Sequence, residues 1–401
     1  MPAGVRISDA DARQASQSVS GVSIWVARSP FRQTKSGFSF GALRISRRKT
    51  ESREWMSLTT QKSTFSCAGS SVVLPGETKE EMVLICHMDT VPVAGGWTKN
   101  PLGEDGENGR FFGRGSCDMK SGLACALCAF LEAAAQMKEN GKAPKRTLKW
   151  IGTSDEEGDM TGAERVIELG WVTKDSLVMD TEPTDGEIQT AHKGRYGFEV
   201  TMHGKAAHAS RPEQGMDAIA GMAYMLASAR NRMKELKEDA FLGKSTIVFG
   251  EIQGGIHPYQ VPAECKVSVD MRVVPPYHIE DVKALLEAAA EDAGKEIPGL
   301  KAEIQITGNR PPIAHHEDAE MLARVKAAVA QATGKEPVVA AFPGYTDTAV
   351  IAGTTGNCNC LSYGPGTLAM AHKADEYVDE ADIRRCQKVY EKLLDGWLWK
   401  S

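Results

Sequence analysis

Cysteine is scarce in this chain, and no apolar run is long enough to cross a membrane. Nine cysteines in 401 residues are too few for a disulfide scaffold, and the odd number leaves at least one thiol unpaired. Reduced thiols in a cytoplasm are the simpler expectation. The C-x-x-C of Cys125 and Cys128 lies in "SGLACALCAFLEAAAQM", whose composition is that of a buried helix, and no second pair at zinc-finger spacing accompanies it. Cys358 and Cys360 receive the same packing reading. No stretch approaches the roughly 18 to 20 apolar residues that span a bilayer. Surplus positive charge is missing as well: the formal charge of -6 gives no electrostatic reason to expect nucleic acid or an anionic membrane as partner. Internal repeats and low-complexity tracts are absent. What is present is ordinary for a soluble globular chain, 42% hydrophobic and 25% charged residues, at a length beyond what one core usually holds.

Residues 1–56 stand apart. They are rich in Ser and Arg, poor in acidic residues, and without clean periodicity, a composition that resembles an organelle transit peptide; because no amphipathic basic helix is evident, the preferred readings are an atypical, poorly ordered extension or a misassigned start to the reading frame. From residue 57 strands and helices alternate. "MVLIC" (82–86) is a buried strand, 121–138 a long helix, "TLKWIGT" (147–153) a strand, 163–169 a short helix and "SLVMD" (176–180) a strand. That order predicts an α/β domain with a mostly parallel sheet covered by helices, whose strand ends open into one crevice. Between 194 and 306 the pattern becomes strand, helix, two strands, helix, strand, the ferredoxin-like α+β order. Within it "CKVSVDMRVV" alternates apolar and polar residues, as a strand with one wet face does. The α/β pattern then resumes. The expected organisation is therefore a catalytic domain in two parts, 57–193 and 307–401, with a smaller domain at 194–306 inserted.

Acidic and imidazole side chains collect at the predicted strand ends: His87 and Asp89 in "LICHMDTVP", Asp118 in "GRGSCDMKSG", Glu156 and Glu157 in "TSDEEGDMTGA", Asp180 and Glu182 in "MDTEPTDG", and His372 in "MAHKADEYV". Carboxylates crowded at one sheet edge repel unless cations hold them. Imidazole with carboxylate suits zinc, and two metals sharing a bridging carboxylate form a hydrolytic arrangement. One acidic residue must then stay off the metals to move a proton. The pair Glu156 and Glu157 supplies both kinds of carboxylate.

The segments "HMDTVP", "GRGSCDMKSG", "DEEGDMTGA", "TEPT", "GKAAHAS", "VDMR" and "AHKADEYV", in this order, resemble the co-catalytic zinc metallopeptidases and deacylases. That family includes glutamate carboxypeptidase, acetylornithine deacetylase, succinyl-diaminopimelate desuccinylase and aminoacylase. The resemblance covers about residues 80–395 and implies a zinc-exopeptidase type catalytic domain with an inserted dimerisation or lid domain. It implies two Zn2+ ions, replaceable by Co2+ or Mn2+, bridged by Asp118 and a water or hydroxide. His87 and Glu182 would complete one site, and Glu157 and His372 the other. Glu156 would be the general acid/base, and Asp89 would accept the second ring N–H of His87. Asp180 competes with Glu182, which is preferred for its place in "EPT".

In the inserted domain the resemblance gives His208 a role at a neighbouring subunit's active site, stabilising the oxyanion, and makes Arg272 a clamp for a substrate carboxylate. His203, one strand earlier, reads as packed. Gln260 in "GGIHPYQVPAE" stands near a position where relatives carry Asn, with His257 and Tyr259 as additions; Tyr345 in "PGYTDTAV" replaces a small residue. Gly364 and Gly366 are candidates for a loop that approaches substrate closely. The expectation is a cytoplasmic homodimeric hydrolase that cleaves an amide bond in a small N-acyl amino acid or short peptide with a free carboxylate. The alternatives are a related hydrolase of another C–N bond, carbamoyl or aromatic amine, and a non-catalytic metal-binding relative.

Overall fold

The computed structural model describes residues 69–103 and 106–399 in full, with short strand segments before them, among them Ser63–Ser66. The extension expected at 1–56 lies outside the residues so described. The chain forms two compact units, one of Met1–Gln189, His316–Ala340 and Thr346–Ser401, the other of Thr190–His315 and Ala341–Tyr345.

The first unit is built on a mixed sheet of strands in the order Val339–Phe342, Ile188–His192, Cys360–Ser362, Leu177–Asp180, Glu81–His87, Thr147–Thr153, Gly69–Leu74, Ser63–Ser66, of which the strands Val339–Phe342 and Ile188–His192 run past its boundaries at Ala340 and Gln189. Its centre is parallel: Glu81–His87 pairs in parallel with both Thr147–Thr153 and Leu177–Asp180, and the latter pairs in parallel with Cys360–Ser362. Strands toward the edges, Gly69–Leu74 and Ile188–His192 among them, pair antiparallel. A central parallel strand is buried on both faces, which explains the unbroken apolar run at 82–86. Met82, Leu84 and Cys86 enter a core with Phe130, Leu322, Val325, Tyr390, Leu393 and Trp397, while Val83 and Ile85, pointing the other way, are equally buried. That core is supplied by helices Ser121–Asn140, Glu320–Thr333 and Glu380–Leu398. The Glu320–Thr333 helix and the strands Gly69–Leu74 and Ile188–His192 add to the elements expected from sequence. Cys125 is a core residue whose thiol burial holds well above its ordinary pKa, so it is inert packing. Every cysteine among the described residues is a free thiol.

Because the central strands run the same way, their carboxyl ends share one edge. Thr153 lies opposite His87, and Asp180 lies opposite both Ile85 and Ser362. Side chains just beyond these ends are delivered to one place.

The second unit has the βαββαβ order. Strands Thr246–Gly254, Glu264–Val273, Gly194–His203 and Lys301–Arg310 form an antiparallel sheet in that spatial order. The period-two pattern is realised: Cys265, Val267, Val269, Met271 and Val273 are buried against helices Ala218–Glu235 and Ile279–Glu296. Those helices present Met222, Met225 and Ala229, and Val282, Leu286, Ala289 and Ala293, at helical spacing. Asp217 caps the first by accepting the N–H groups of Ile219 and Ala220, each at 2.9 Å. Among the described residues no helix is long and apolar enough to cross a membrane.

Candidate metal centre

His87 ends its buried strand and is itself buried, so its ring has no solvent to turn toward. Its Nε2 lies 3.0 Å from Asp118 Oδ1 and 3.7 Å from Glu182 Oε1. Asp118 stands just before the Ser121–Asn140 helix, where the backbone leaves helical geometry with φ -115° and ψ 100°, and its peptide bond to Met119 is cis. The second oxygen of the same carboxylate, Oδ2, lies 3.4 Å from His372 Nε2, and His372 lies 2.8 Å from Glu157 Oε2. One carboxylate thus faces two groups, His87 with Glu182 and His372 with Glu157. His372 differs from the others in exposure, its side chain 52% accessible, and it sits at a left-handed φ of 63°.

The donor set suits a divalent cation. His87, Asp118 and Glu157 each offer an atom within 4.8 Å of the others, and so do His87, Glu156 and Glu182. Glu157 Oε1 is buried with no hydrogen-bond partner, an acceptor that a cation would satisfy. Charge makes the same point. Burial holds Glu156 well above the usual carboxylate range, with His87 opposing and Asp347, Asp118 and Glu157 adding to the shift. Glu182 is raised by burial and then by Asp118, Glu156, Asp180 and Asp347. Burial works against charge on His87, but the Asp118 hydrogen bond and the surrounding carboxylates outweigh it and push its pKa up to about 10. Asp118 goes the other way: its burial is overcome by hydrogen bonds from His372 and His87, which hold its pKa low. Without a cation, this cluster retains protons to limit repulsion.

Other residues singled out in the sequence fall nearby, in altered roles. The Asp89 carboxylate does not take the second ring nitrogen of His87. Nδ1 pairs with the Asp89 backbone carbonyl at 3.0 Å, the nearer carboxylate oxygen being 3.8 Å away. The chain turns after the strand so that the carbonyl arrives first, and Asp89 Oδ2 instead accepts the Glu157 N–H at 3.2 Å. Asp180 is buried and accepts from Thr348 Oγ1 at 2.7 Å; it belongs to neither of the two metal-ligand groupings, one of which contains Glu182. Asp347 is buried and accepts from Thr153 Oγ1. The glycines approach the protein's own chain: a Cβ on Gly364 would stand 2.1 Å from the Thr181 carbonyl oxygen and 2.5 Å from that of Glu182, and one on Gly366, at φ 83°, would meet Cys117 Sγ at 2.6 Å. Both therefore seat the loops that carry Glu182 and Asp118.

Within the second unit, His208 and Gln260 are exposed and directly opposite each other in a short antiparallel pair, Ala207–His208 with Gln260–Val261. His208 Nδ1 pairs with Ser210 Oγ at 2.8 Å. Arg272 donates from Nε to Asp270 at 2.8 Å. His257 and Tyr259 are exposed, their rings 5.3 Å apart. Tyr345 is buried and donates its hydroxyl to the Pro311 carbonyl at 3.0 Å. His203 is not packed: it falls on the exposed phase of its strand, 3.7 Å from Glu303.

Sequence reading passed over Glu376. It follows His372 by four positions in "AHKADEYV", and nothing in that string distinguishes a carboxylate with no exposure from a solvated one. Its signal is tertiary, since its partners are Arg114, Cys117 and Asp118.

The family model described as "Peptidase family M20/M25/M40" matches residues 83–396. A protein of Myxococcus xanthus named acetylornithine deacetylase is 31% identical over 324 residues, 80% of each chain. One of Staphylococcus aureus strain MRSA252, named probable succinyl-diaminopimelate desuccinylase, is 27% identical over 328 residues, 75% of this chain and 79% of its own. Among solved structures, an aminopeptidase of Bacillus cereus superposes with a TM-score of 0.66 at 21% identity, covering 84% of this chain and 88% of its own. A Bacillus subtilis protein described as a dinuclear metal binding peptidase gives 0.61 at 15% identity, over 83% and 87%.

Proposed function

The chain belongs to peptidase family M20/M25/M40, a family of hydrolases, and from that premise we propose that it is a dinuclear zinc enzyme cleaving the amide bond of a small N-acyl amino acid or short peptide with a free carboxylate. The observation that carries the reading is the division of Asp118, one oxygen toward His87 and the other toward His372. His87, Asp118 and Glu182 would hold one ion; Glu157, Asp118 and His372 would hold the other. When bound, zinc at such a site supplies Lewis-acid polarisation of the carbonyl and acidifies water.

Glu156 is the proton carrier. Proximity admits it as a donor beside His87 and Glu182; in this reading Asp118 takes that place on the ion, and Glu156, ionised once cations neutralise the cluster, takes a proton from the attacking water. It then returns that proton to the departing nitrogen. Asp89 supports the centre from behind, its carbonyl on His87 and its carboxylate on the Glu157 N–H. His208, acting from a second subunit, stabilises the oxygen on which charge develops, and its exposure leaves it available for that. Arg272 binds the substrate carboxylate after exchanging its Asp270 contact, with Gln260 beside His208 contributing an amide.

A homodimer formed through the second unit is part of the proposal. Strand Thr246–Gly254 lies at the edge of its sheet, and Val248 and Ile252 on it are 56% and 55% exposed, an apolar edge that a second copy would cover.

The test is zinc content of the purified protein, with hydrolysis of a panel of N-acyl amino acids and dipeptides before and after chelation. Two zinc ions per chain and chelator-sensitive release of a free amino acid are expected. No metal uptake after zinc loading would overturn the reading.

A further inference from the structure

The Glu376 side chain is fully buried, yet it takes no part in the ligand set. One oxygen, Oε1, accepts the backbone N–H groups of Cys117 at 3.0 Å and Asp118 at 3.1 Å. The other pairs with Arg114, whose side chain is only 5% exposed and whose ring-facing side lies over Trp97. The Glu376 carbonyl also accepts the Gly113 N–H at 2.9 Å and Ser116 Oγ at 3.3 Å. One residue thus holds the whole turn that presents Asp118. The backbone there is non-helical, so its N–H groups need an outside acceptor.

The same residue belongs to the segment that presents His372. Next to it, Asp375 accepts the N–H groups of Thr98 at 2.8 Å and Lys99 at 2.9 Å, and the Thr98 hydroxyl at 2.6 Å. His372 and Asp375 both adopt left-handed backbone, φ 63° and 53°, which only surrounding contacts can maintain. The His372 ring is half exposed, so packing does not fix it, and its place depends on where the segment is anchored. Asp375 anchors it to the 98–99 loop, and Glu376 anchors it to the Asp118 turn.

We propose that Glu376, with its charge balanced by Arg114, is a positioning residue that sets the span between Asp118 and His372 and thereby the affinity of the metal those two residues share. The inference rests on the two-metal reading above. A group that orients ligands from outside the coordination set is worth about tenfold to a hundredfold in metal affinity.

The test is zinc titration of the full chain with Glu376→Gln, alongside the Co2+ absorption spectrum. Gln keeps the volume, but its amide cannot serve two backbone donors and the Arg114 guanidinium with acceptors on both sides. The expected result is a folded protein in which one of the two zinc-binding steps, that of the ion shared by Asp118 and His372, loses about tenfold to a hundredfold in affinity, with a changed Co2+ spectrum. Unchanged affinities and spectrum in folded Glu376→Gln overturn the clamp. If that variant does not fold, Arg114→Lys replaces it; it keeps a charge and loses the planar fork, and two unweakened zinc-binding steps there overturn the proposal as well. Wild-type protein that saturates with a single zinc overturns the two-metal reading instead.

Discussion

His87 Nε2 stands 3.0 Å from Asp118 Oδ1, and the other oxygen of that carboxylate is left for a second histidine on the far side. Because the two candidate sites meet in one side chain, they should fail together. Asp118→Ala is expected to lose both metals, whereas His372→Ala is expected to lose one. Metal content by mass spectrometry after zinc loading separates these outcomes, and two tightly held zinc ions in Asp118→Ala would refute the bridge.

Glu156→Ala is expected to keep both metals and lose about two to four orders of magnitude in turnover, the range for removing a general acid/base. His208→Ala should also be slow. If His208 serves the other subunit's site, mixing the two inactive variants under conditions of subunit exchange restores part of the activity. Absence of recovery after exchange is verified would place His208 elsewhere.

Gly364→Ala puts a methyl 2.1 Å from the Thr181 carbonyl oxygen, where only backbone can yield. The cost expected is about 1–3 kcal/mol, as for overpacking of a tight interior, accompanied by weaker zinc binding because Glu182 rides on the displaced loop. Urea unfolding and zinc titration measure the two effects. A variant as stable as wild type would mean that the loops separate easily.

His192 gives the second unit an acid limit. It is fully buried with its ring 5.5 Å from Phe342, and burial, opposed by a hydrogen bond to the Gly344 backbone, pushes its pKa from 6.5 down to about 4. Above pH 6.5 both folded and unfolded forms are neutral and stability does not depend on this group. As pH falls from 6.5 toward 4 the unfolded chain binds the proton and the folded one refuses it, so stability is lost, on the order of 3 kcal/mol across the window. His192→Phe should therefore lose less stability than wild type between pH 7 and pH 4.5 in urea unfolding. Parallel losses would show that another group carries the acid limb.

The elements with strong periodicity were legible without coordinates. The strand at 82–86, the helix opening at Ser121, the strand at 147–153 and the alternating strand at 265–273 depend on local patterns of apolar residues, and the same patterns set the α/β unit and the βαββαβ unit. The ligand candidates were legible too, but not all for the expected reason: His87, Glu157 and Glu182 stand at or just past ends of parallel strands, whereas Asp118 precedes a helix and His372 lies in a loop, so those two were legible only from the segments that carry them.

Roles that depend on direction were not. Whether Asp89 offers His87 its carboxylate or its carbonyl turns on a few ångströms of loop path, and whether Gly364 faces substrate or Thr181 turns on which segment lies across from it. Glu376 is the clearest case, because its partners Cys117 and Asp118 lie some 260 positions earlier, at separations of 259 and 258 residues. The sequence by itself determined which groups are available and which elements carry them, because local periodicity and residue chemistry act over a few positions. Only the tertiary structure decided which carboxylates gather in the candidate metal cluster and which holds the backbone behind it, because burial and hydrogen-bond direction arise when distant segments pack.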